Sequence, residues 1–361
     1  MTKLRVAFIG AGRIADLHAL GYRDNPDAEL YAVCDADAEV AARRAAEWGA
    51  AKHCSNDRQL LADPDVDAVE ILTPHHLHAE MAVAALAAGK HVSLQKPMAR
   101  TLAEADEIAA AARASDRVFR VFENYRYYPP YVRAKELLEA GEIGEPVSLR
   151  VKVIDGDPRY GWRVPARSWA WRLDEAKSGG GIAVFDHGYH IFSIAIFFLG
   201  AVEETFAWIE RTEVAAGVKV DAPALIVWRH AGGKPGQASR FGTWETVLTP
   251  EMVVRSKYYA NDEWLEITGR RGVIWVTRCT GEMLAAPPLI VYRDGETRSF
   301  HDIESDWGAS FVEGTRAFVG AIREGGEPPL TAAEGREVLL FALAAQRSAA
   351  EGRPVRLSEL G

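Results

Sequence analysis

The sequence predicts an α/β domain, a doubly wound parallel sheet over residues 1–122, followed by an α+β domain over 123–361 with a large, mostly antiparallel, open-faced sheet. Three observations predict it. Through residue 122, short and nearly continuous apolar runs alternate with helical patterns, the order that buries parallel strands on both faces. After Phe122 that alternation stops, and longer runs of period two take over. The chain of 361 residues also suits two domains better than one.

Taken in order, Leu4 to Ile9 (LRVAFI) reads as a buried strand running straight into Gly10-Ala11-Gly12-Arg13-Ile14-Ala15, which opens a helix from Ile14 to Arg23. The next strand, Glu29 to Cys34, ends at Asp35, about 20 residues past Ala15. That order of strand, glycine loop, helix, strand and acid is what a dinucleotide site needs. Gly10 allows the tight turn, Gly12 lets backbone approach a pyrophosphate, and Ala15 keeps helix and strand close. Asp35 accepts hydrogen bonds from ribose hydroxyls and repels a 2′-phosphate, so NAD is expected rather than NADP. Arg43 and Arg44 lie too far down the following helix to read such a phosphate. Alternation continues with strand Ala68–Leu72, helix Leu77–Ala88, strand His91–Leu94, helix Leu102–Ala114 and strand Val118–Phe122.

In such sheets the ligand lies off the carboxyl ends of the strands. Thr73-Pro74-His75-His76-Leu77-His78 ends one strand, and Ser93-Leu94-Gln95-Lys96-Pro97 ends another. Thr73, Pro74, His78, Gln95 and Lys96 therefore join Gly10, Gly12, Arg13, Ile14 and Asp35 as cofactor-binding candidates. His75 and His76 are adjacent and lack an acidic cluster, so they read as helix-entry polar residues, and no metal site is expected. His78, in the first turn of its helix, is compatible with a structural role. Lys96, just past a buried strand and held by Pro97, points at the cofactor edge.

In the second half, Asn124–Pro129 is an aromatic connector into helix Tyr131–Ala140. Strands are expected at Val147–Ile154, Glu204–Arg211, Ala224–His230, Ala238–Glu245, Trp264–Thr268 and Gly272–Val276, with a hairpin turn at 232–236. Helices Ala309–Ile322 and Thr331–Ala350 close the chain, and these terminal helices are free to pack back on the first domain. Between Tyr160 and Arg172 a loop carries Trp162, Arg163, Arg167, Trp169, Trp171 and Arg172. Trp faces stack on sugar C–H surfaces and Arg forks bind hydroxyls or carboxylates, though a buried structural plug has the same composition. Gly179–His190 (GGGIAVFDHGYH) starts a helix running from about Ile182 to Leu199. Asp186 and His190 stand four apart and share a face of it.

Composition excludes other classes. A net charge of −9 without a basic stripe argues against nucleic acid, and no apolar run approaches the roughly 20 residues of a membrane span. Cys34, Cys54 and Cys279 are scattered and odd in number, which fits a reducing, cytoplasmic setting. One open, alternating sheet face leaves an apolar patch that a homodimer or homotetramer would cover.

Taken together, GAGRIA at Gly10–Ala15, TPHHLHAE at Thr73–Glu80, QKPMA at Gln95–Ala99, NYRYYP at Asn124–Pro129 and GGGIAVFDHGYH at Gly179–His190 resemble the Gfo/Idh/MocA family (glucose–fructose oxidoreductase, inositol dehydrogenase, rhizopine catabolism). The resemblance spans nearly the whole chain, including Gly335–Leu357, and is weakest across the sheet domain. It implies a Rossmann domain, NAD(P)-linked oxidation of a sugar, sugar derivative or polyol hydroxyl, and a catalytic role for Lys96, Asp186 and His190. Gln95 stands where the family usually has Glu. Hydride removal from a carbinol carbon needs a base for the hydroxyl proton. His190 suits that task near neutral pH, with Asp186 orienting it and Lys96 donating to the developing alkoxide. Tyr125, Arg126, His187 and the Trp/Arg loop are the substrate candidates. Two other readings stay open: a glycoside hydrolase that uses transient oxidation by bound NAD, and a non-catalytic NAD(H) sensor.

Overall fold

Val6, Ala7, Phe8 and Ile9 are all buried, as a strand covered on both faces requires. A computed structural model, describing residues 2–215, 217–232 and 239–361, places them in β1 (Leu4–Ile9). It is followed by β2 (Ala28–Cys34), β3 (Lys52–Cys54), β4 (Ala68–Ile71), β5 (His91–Gln95) and β6 (Phe119–Phe122). These strands form one parallel sheet in the order β3-β2-β1-β4-β5-β6. The order reverses between β1 and β4, and a sheet of this kind opens a crevice at the carboxyl ends where it does so.

The chain divides into two compact units, each drawn from three segments. Unit 1 takes the chain up to Asn124, then Ala166–Gly179 and Phe311–Leu339. Unit 2 takes Tyr125–Pro165, Gly180–Ser310 and Leu340–Gly361. The sequence division at 122/123 puts 166–179 in the second domain, whereas the fold gathers that short segment into unit 1.

In unit 1 the core joins Val6, Phe8, Ala15, Val33 and Ala68 to Phe318 and Val319 of the later segment. Helix Ala38–Trp48 begins at Asp37, whose carboxylate accepts from Glu39 N and Val40 N, and stops at Gly49 in the left-handed region. The helix expected over Ile14–Arg23 is shorter, Ala15–Leu20. Asn25 ends it by donating its side-chain amide to Gly21 O, and Asp24 takes a positive φ of 57°.

In unit 2 nine strands, counted among the described residues, form one sheet. Their order is Glu296–Phe300, Leu289–Arg293, Gly272–Val276, Asn261–Gly269, Pro146–Asp155, Phe241–Leu248, Ala224–His230, Val202–Ile209 and Val355–Arg356. Every pairing is antiparallel except that of Pro146–Asp155 with Phe241–Leu248. Alternation sorts the side chains. Leu149, Val151, Ile226, Trp228, Trp244 and Leu265 are buried, and Phe192 and Phe341 pack against Trp244 and Trp228 from helices Gly188–Leu199 and Ala332–Glu351. Trp208, Leu225, Phe241 and Tyr292 are exposed. The expected turn at 232–236 lies, from 233 on, outside the described residues, as does Ala238; the next strand begins at Phe241. The run Glu175–Leu199 is long and apolar enough to cross a membrane, which the sequence expectation denied, but it is mostly buried inside the molecule, as a core helix is.

Candidate active site

The glycine loop of unit 1 has the geometry its sequence predicts. Gly10 holds φ +97°, and a Cβ there would lie 2.7 Å from Leu72 O, so this turn excludes any larger residue. Gly12 differs: a Cβ on it would meet no protein atom within 4 Å. Packing does not require that glycine, whereas close approach of a ligand does. Asp35 follows β2 and reaches back to this loop, where its Oδ2 accepts from Ala11 N at 2.9 Å and its Oδ1 from Asp37 N at 3.0 Å. Two carboxylate oxygens carry about four acceptor positions, so capacity remains for ribose hydroxyls. Arg13 donates to Asp16, which also receives Arg44 at 2.8 Å, and Arg44 pairs with Glu47 and lies over Trp48. These residues fit a dinucleotide with free ribose hydroxyls.

At the ends of β4 and β5 the candidates are tied to one another. His78 sets Nδ1 2.8 Å from Pro97 O and Nε2 3.0 Å from Thr73 O, bracing the two strand-end loops. Thr73 Oγ1 lies 3.6 Å from Met81 S, and Pro74 precedes the short turn His75–Leu77. His75, read as a helix-entry residue, anchors the 166–179 segment, with Nδ1 2.7 Å from Ser178 O and its ring edge-on to Trp171 at 4.5 Å. Gln95 accepts from Lys96 N at 2.8 Å, which fixes the backbone that carries the lysine.

In unit 2 the glycines on either side of Asp186 are explained by what crowds them. A Cβ on Gly181 would fall 2.0 Å from the Asp221 carboxylate, one on Gly180 2.2 Å from Gln346, and one on Gly188 2.6 Å from Trp244. Asp221 sits there because it accepts from Ala183 N and Val184 N, each at 2.7 Å, at the mouth of the helix. Burial raises the Asp221 pKa, and those two N–H groups oppose the rise. The first turn, Ile182–His187, is π-helical, with Asp186 N donating to Gly181 O at 3.1 Å, and the α-helix proper is Gly188–Leu199. This corrects the expected regular helix. The i→i+5 turn winds the residues up to Asp186, while His190 stands in the α-helix that follows.

Around His190 the structure gathers aromatic and acidic groups. Tyr125 stacks on His190 with ring centroids 4.1 Å apart and 7° between planes. The Tyr125 hydroxyl donates to buried Glu263, and His187 Nε2 lies 3.3 Å from the same carboxylate. Burial, reinforced by neighbouring charges including Glu263, holds the Tyr125 pKa well above its ordinary value, so the phenol stays a donor. Arg126 donates to Ser193 Oγ at 3.0 Å and lies over Phe197. The Trp/Arg loop is divided between the two units. Trp162, edge-on to Tyr258 and Tyr259, and exposed Arg163 lie in unit 2. Trp169, half-buried, Trp171 and Arg172 lie in unit 1, where Arg172 covers the Trp171 ring.

Residues 4–123 match an oxidoreductase family described by its NAD-binding Rossmann fold, and residues 135–357 match the C-terminal alpha/beta domain of the same family. The chain belongs to the Gfo/Idh/MocA family. Among its Gfo/Idh/MocA relatives is a myo-inositol 2-dehydrogenase of Thermotoga maritima, 28% identical over 99% of both chains. Another is an NAD(+) scyllo-inositol 2-dehydrogenase of Bacillus subtilis, 27% identical over 98% of this chain and 96% of that one. A levoglucosan dehydrogenase solved in complex with NADH and levoglucosan superposes with a TM-score of 0.83 at 27% identity, covering 98% and 99% of the two chains. Unit 1 of this Gfo/Idh/MocA oxidoreductase therefore carries an NAD-binding Rossmann domain.

Sequence reasoning missed Glu263, Asp221, His18 and Glu70. For Glu70 a signal existed: a carboxylate inside the otherwise apolar strand AVEI requires a buried partner.

Proposed function

We propose that this oxidoreductase transfers a hydride between NAD and the hydroxyl-bearing carbon of a sugar, sugar derivative or polyol. The carrying observation is the pair of devices just described: an NAD-type loop with Asp35 in unit 1, and an imidazole fixed by an aromatic stack in unit 2. The relatives, dehydrogenases of inositols and of levoglucosan, support the substrate class.

Gly10, Gly12, Arg13, Ile14, Asp35, Thr73, Pro74, His78, Gln95 and Lys96 hold the dinucleotide in this reading. NAD, when bound, supplies the hydride acceptor. His190 takes the hydroxyl proton as that carbon loses its hydride. Asp186, within the preceding turn, orients His190, and Lys96 donates to the oxygen as it gains negative charge. Tyr125 holds the imidazole plane, and His187 with Glu263 offers polar contacts to further hydroxyls. Arg126, Trp162, Arg163, Trp169, Trp171 and Arg172 complete the proposed substrate set. Lys96→Ala and His190→Ala test the assignment. Each should lower kcat by roughly 10²–10⁴-fold with NAD affinity nearly unchanged. Near-normal turnover in either variant would remove that residue from the mechanism.

We also propose a homodimer or homotetramer joined through the exposed sheet face of unit 2, working in the cytoplasm. Trp208 and Leu225 are register partners on that face, and Phe206 lies opposite Val227 beside them. None of the three cysteines forms a disulfide, which supports the compartment.

A further inference from the structure

Behind the Lys96 loop, unit 1 buries a polar chain among aromatic rings. His18 and Glu70 are both fully buried, and His18 is walled by Phe8, Phe122 and Phe311. His18 Nδ1 meets Glu70 Oε2 in a short contact, and Tyr22 donates its hydroxyl to Glu70 Oε1 at 2.6 Å. Arg120, also fully buried and hydrogen-bonded to Ser93 Oγ, lies 3.9 Å from that oxygen. On the other side, His18 Nε2 lies 3.0 Å from Gln95 Nε2, and Gln95 Oε1 accepts from Lys96 N.

Hydrogen-bond chemistry permits one direction along this chain. An amide nitrogen only donates, so Gln95 Nε2 donates to His18 Nε2, which must be bare. The imidazole proton then sits on Nδ1 and is given to Glu70, a carboxylate that only accepts. Glu70 is left as acceptor of three groups: the His18 Nδ1–H and the Tyr22 hydroxyl each meet one of its oxygens, and the Arg120 guanidinium lies 3.9 Å away, an arrangement that favours the carboxylate against its burial. Each link fixes the next: the charge on Glu70 sets the His18 tautomer, the tautomer sets the Gln95 flip, and the flip presents Oε1 to Lys96 N–H.

The geometry points to His18 and Glu70 as positioning residues for Lys96, acting through the orientation of the Gln95 amide. This rests on the proposed role of Lys96 for its catalytic consequence, but not for its proton arrangement. Glu70→Gln keeps the shape and reverses the chain. An amide nitrogen facing His18 Nδ1 moves the imidazole proton to Nε2, and Gln95 must then flip and turn a donor toward Lys96 N–H. Adding Gln95→Glu restores an acceptor at position 95: the new carboxylate accepts from both His18 Nε2–H and Lys96 N–H.

The test has two arms. In the protein without added cofactor, nitrogen-15 NMR of His18, assigned through its contacts to Phe122 and Phe311, should show Nδ1 protonated and Nε2 bare. An imidazolium or the opposite tautomer would overturn the proposal, whatever the role of Lys96. In kinetics, Glu70→Gln should lower kcat by roughly 10–10²-fold, the scale of a misplaced catalytic group, while NAD affinity holds. The double variant Glu70→Gln/Gln95→Glu should recover most of that loss. Folded Glu70→Gln protein with parental kcat, or a double variant no better than the single, would contradict it. If Lys96→Ala keeps full activity while His18 shows the stated tautomer, the function assigned to Lys96 fails and the chain remains.

Discussion

Tyr125 and His190 are stacked nearly parallel, their ring centroids 4.1 Å apart. The two residues come from different segments of unit 2, a turn at Asn124–Tyr127 and the helix Gly188–Leu199. The stack predicts separable roles for the Tyr125 ring and hydroxyl. Tyr125→Phe keeps the ring but leaves buried Glu263 without its phenol donor, so unfolding free energy should fall by roughly 1.5–3 kcal/mol with kcat changed little. Tyr125→Leu releases the imidazole plane and should lower kcat roughly tenfold or more. Denaturant titration and steady-state kinetics on both variants check this, and equal kcat values for the two would contradict it.

Asp35 predicts cofactor choice. Its carboxylate both binds Ala11 N and faces the position where ribose hydroxyls are recognised. Asp35→Ser should weaken NAD binding and narrow or reverse the preference over NADP, read by fluorescence titration of both dinucleotides. A parent chain that binds NADP more tightly would refute the assignment.

The exposed sheet face predicts assembly. Trp208 is 55% exposed and Phe241 is 52% exposed, and the strand register puts both on one face of the sheet; contiguous exposed apolar surface marks an interface. Light scattering at micromolar concentration should report a dimer or tetramer, and Trp208→Asp should shift it toward monomer. A monomeric parent would contradict the interface.

His230 predicts acid sensitivity. Its Nδ1 lies 2.8 Å from Gly200 O, and its Nε2 accepts from Trp228 Nε1 at 2.9 Å, an arrangement that needs the neutral ring. Burial lowers its pKa from 6.5 to about 4. The folded state therefore binds fewer protons than the unfolded one in that window. Stability is full above the unfolded value and is lost as pH falls from about 6.5 toward 4, by an amount on the order of 3 kcal/mol. His230→Gln keeps an acceptor and a donor but cannot titrate. Urea unfolding at several pH values should show a flatter slope for the variant across this window, and identical slopes would contradict the argument.

The Rossmann half was legible in the sequence because its signals are local. The apolar run Leu4–Ile9, the Gly10 turn and the acid at position 35 each report on their own few residues. What was not legible depends on partners far along the chain. Glu70 meets Tyr22 and His18 across 48 and 52 residues, and no spacing rule links them. The π-helical turn at Ile182–His187 depends on Asp221, 37 and 38 residues beyond the amides it accepts. The Trp/Arg loop looked continuous, yet its two ends pack in different units. One hairpin was readable but absent from the expectations: Leu289–Arg293 and Glu296–Phe300 are joined by Asp294-Gly295, both at positive φ, the residue pair that such a turn favours.

In the proposed reaction a hydride leaves a hydroxyl-bearing carbon of a sugar or polyol and arrives on NAD. The most direct measurement uses a substrate oxidised by the parent chain, found among inositols and anhydro-sugars and carrying deuterium on that carbon, with the NADH analysed by mass spectrometry. The account predicts one deuterium in each NADH formed and loss of the signal in His190→Ala. Sugar release without net NADH would point instead to transient oxidation during glycoside cleavage, and binding without either product to a sensor. NADH lacking deuterium would contradict direct transfer.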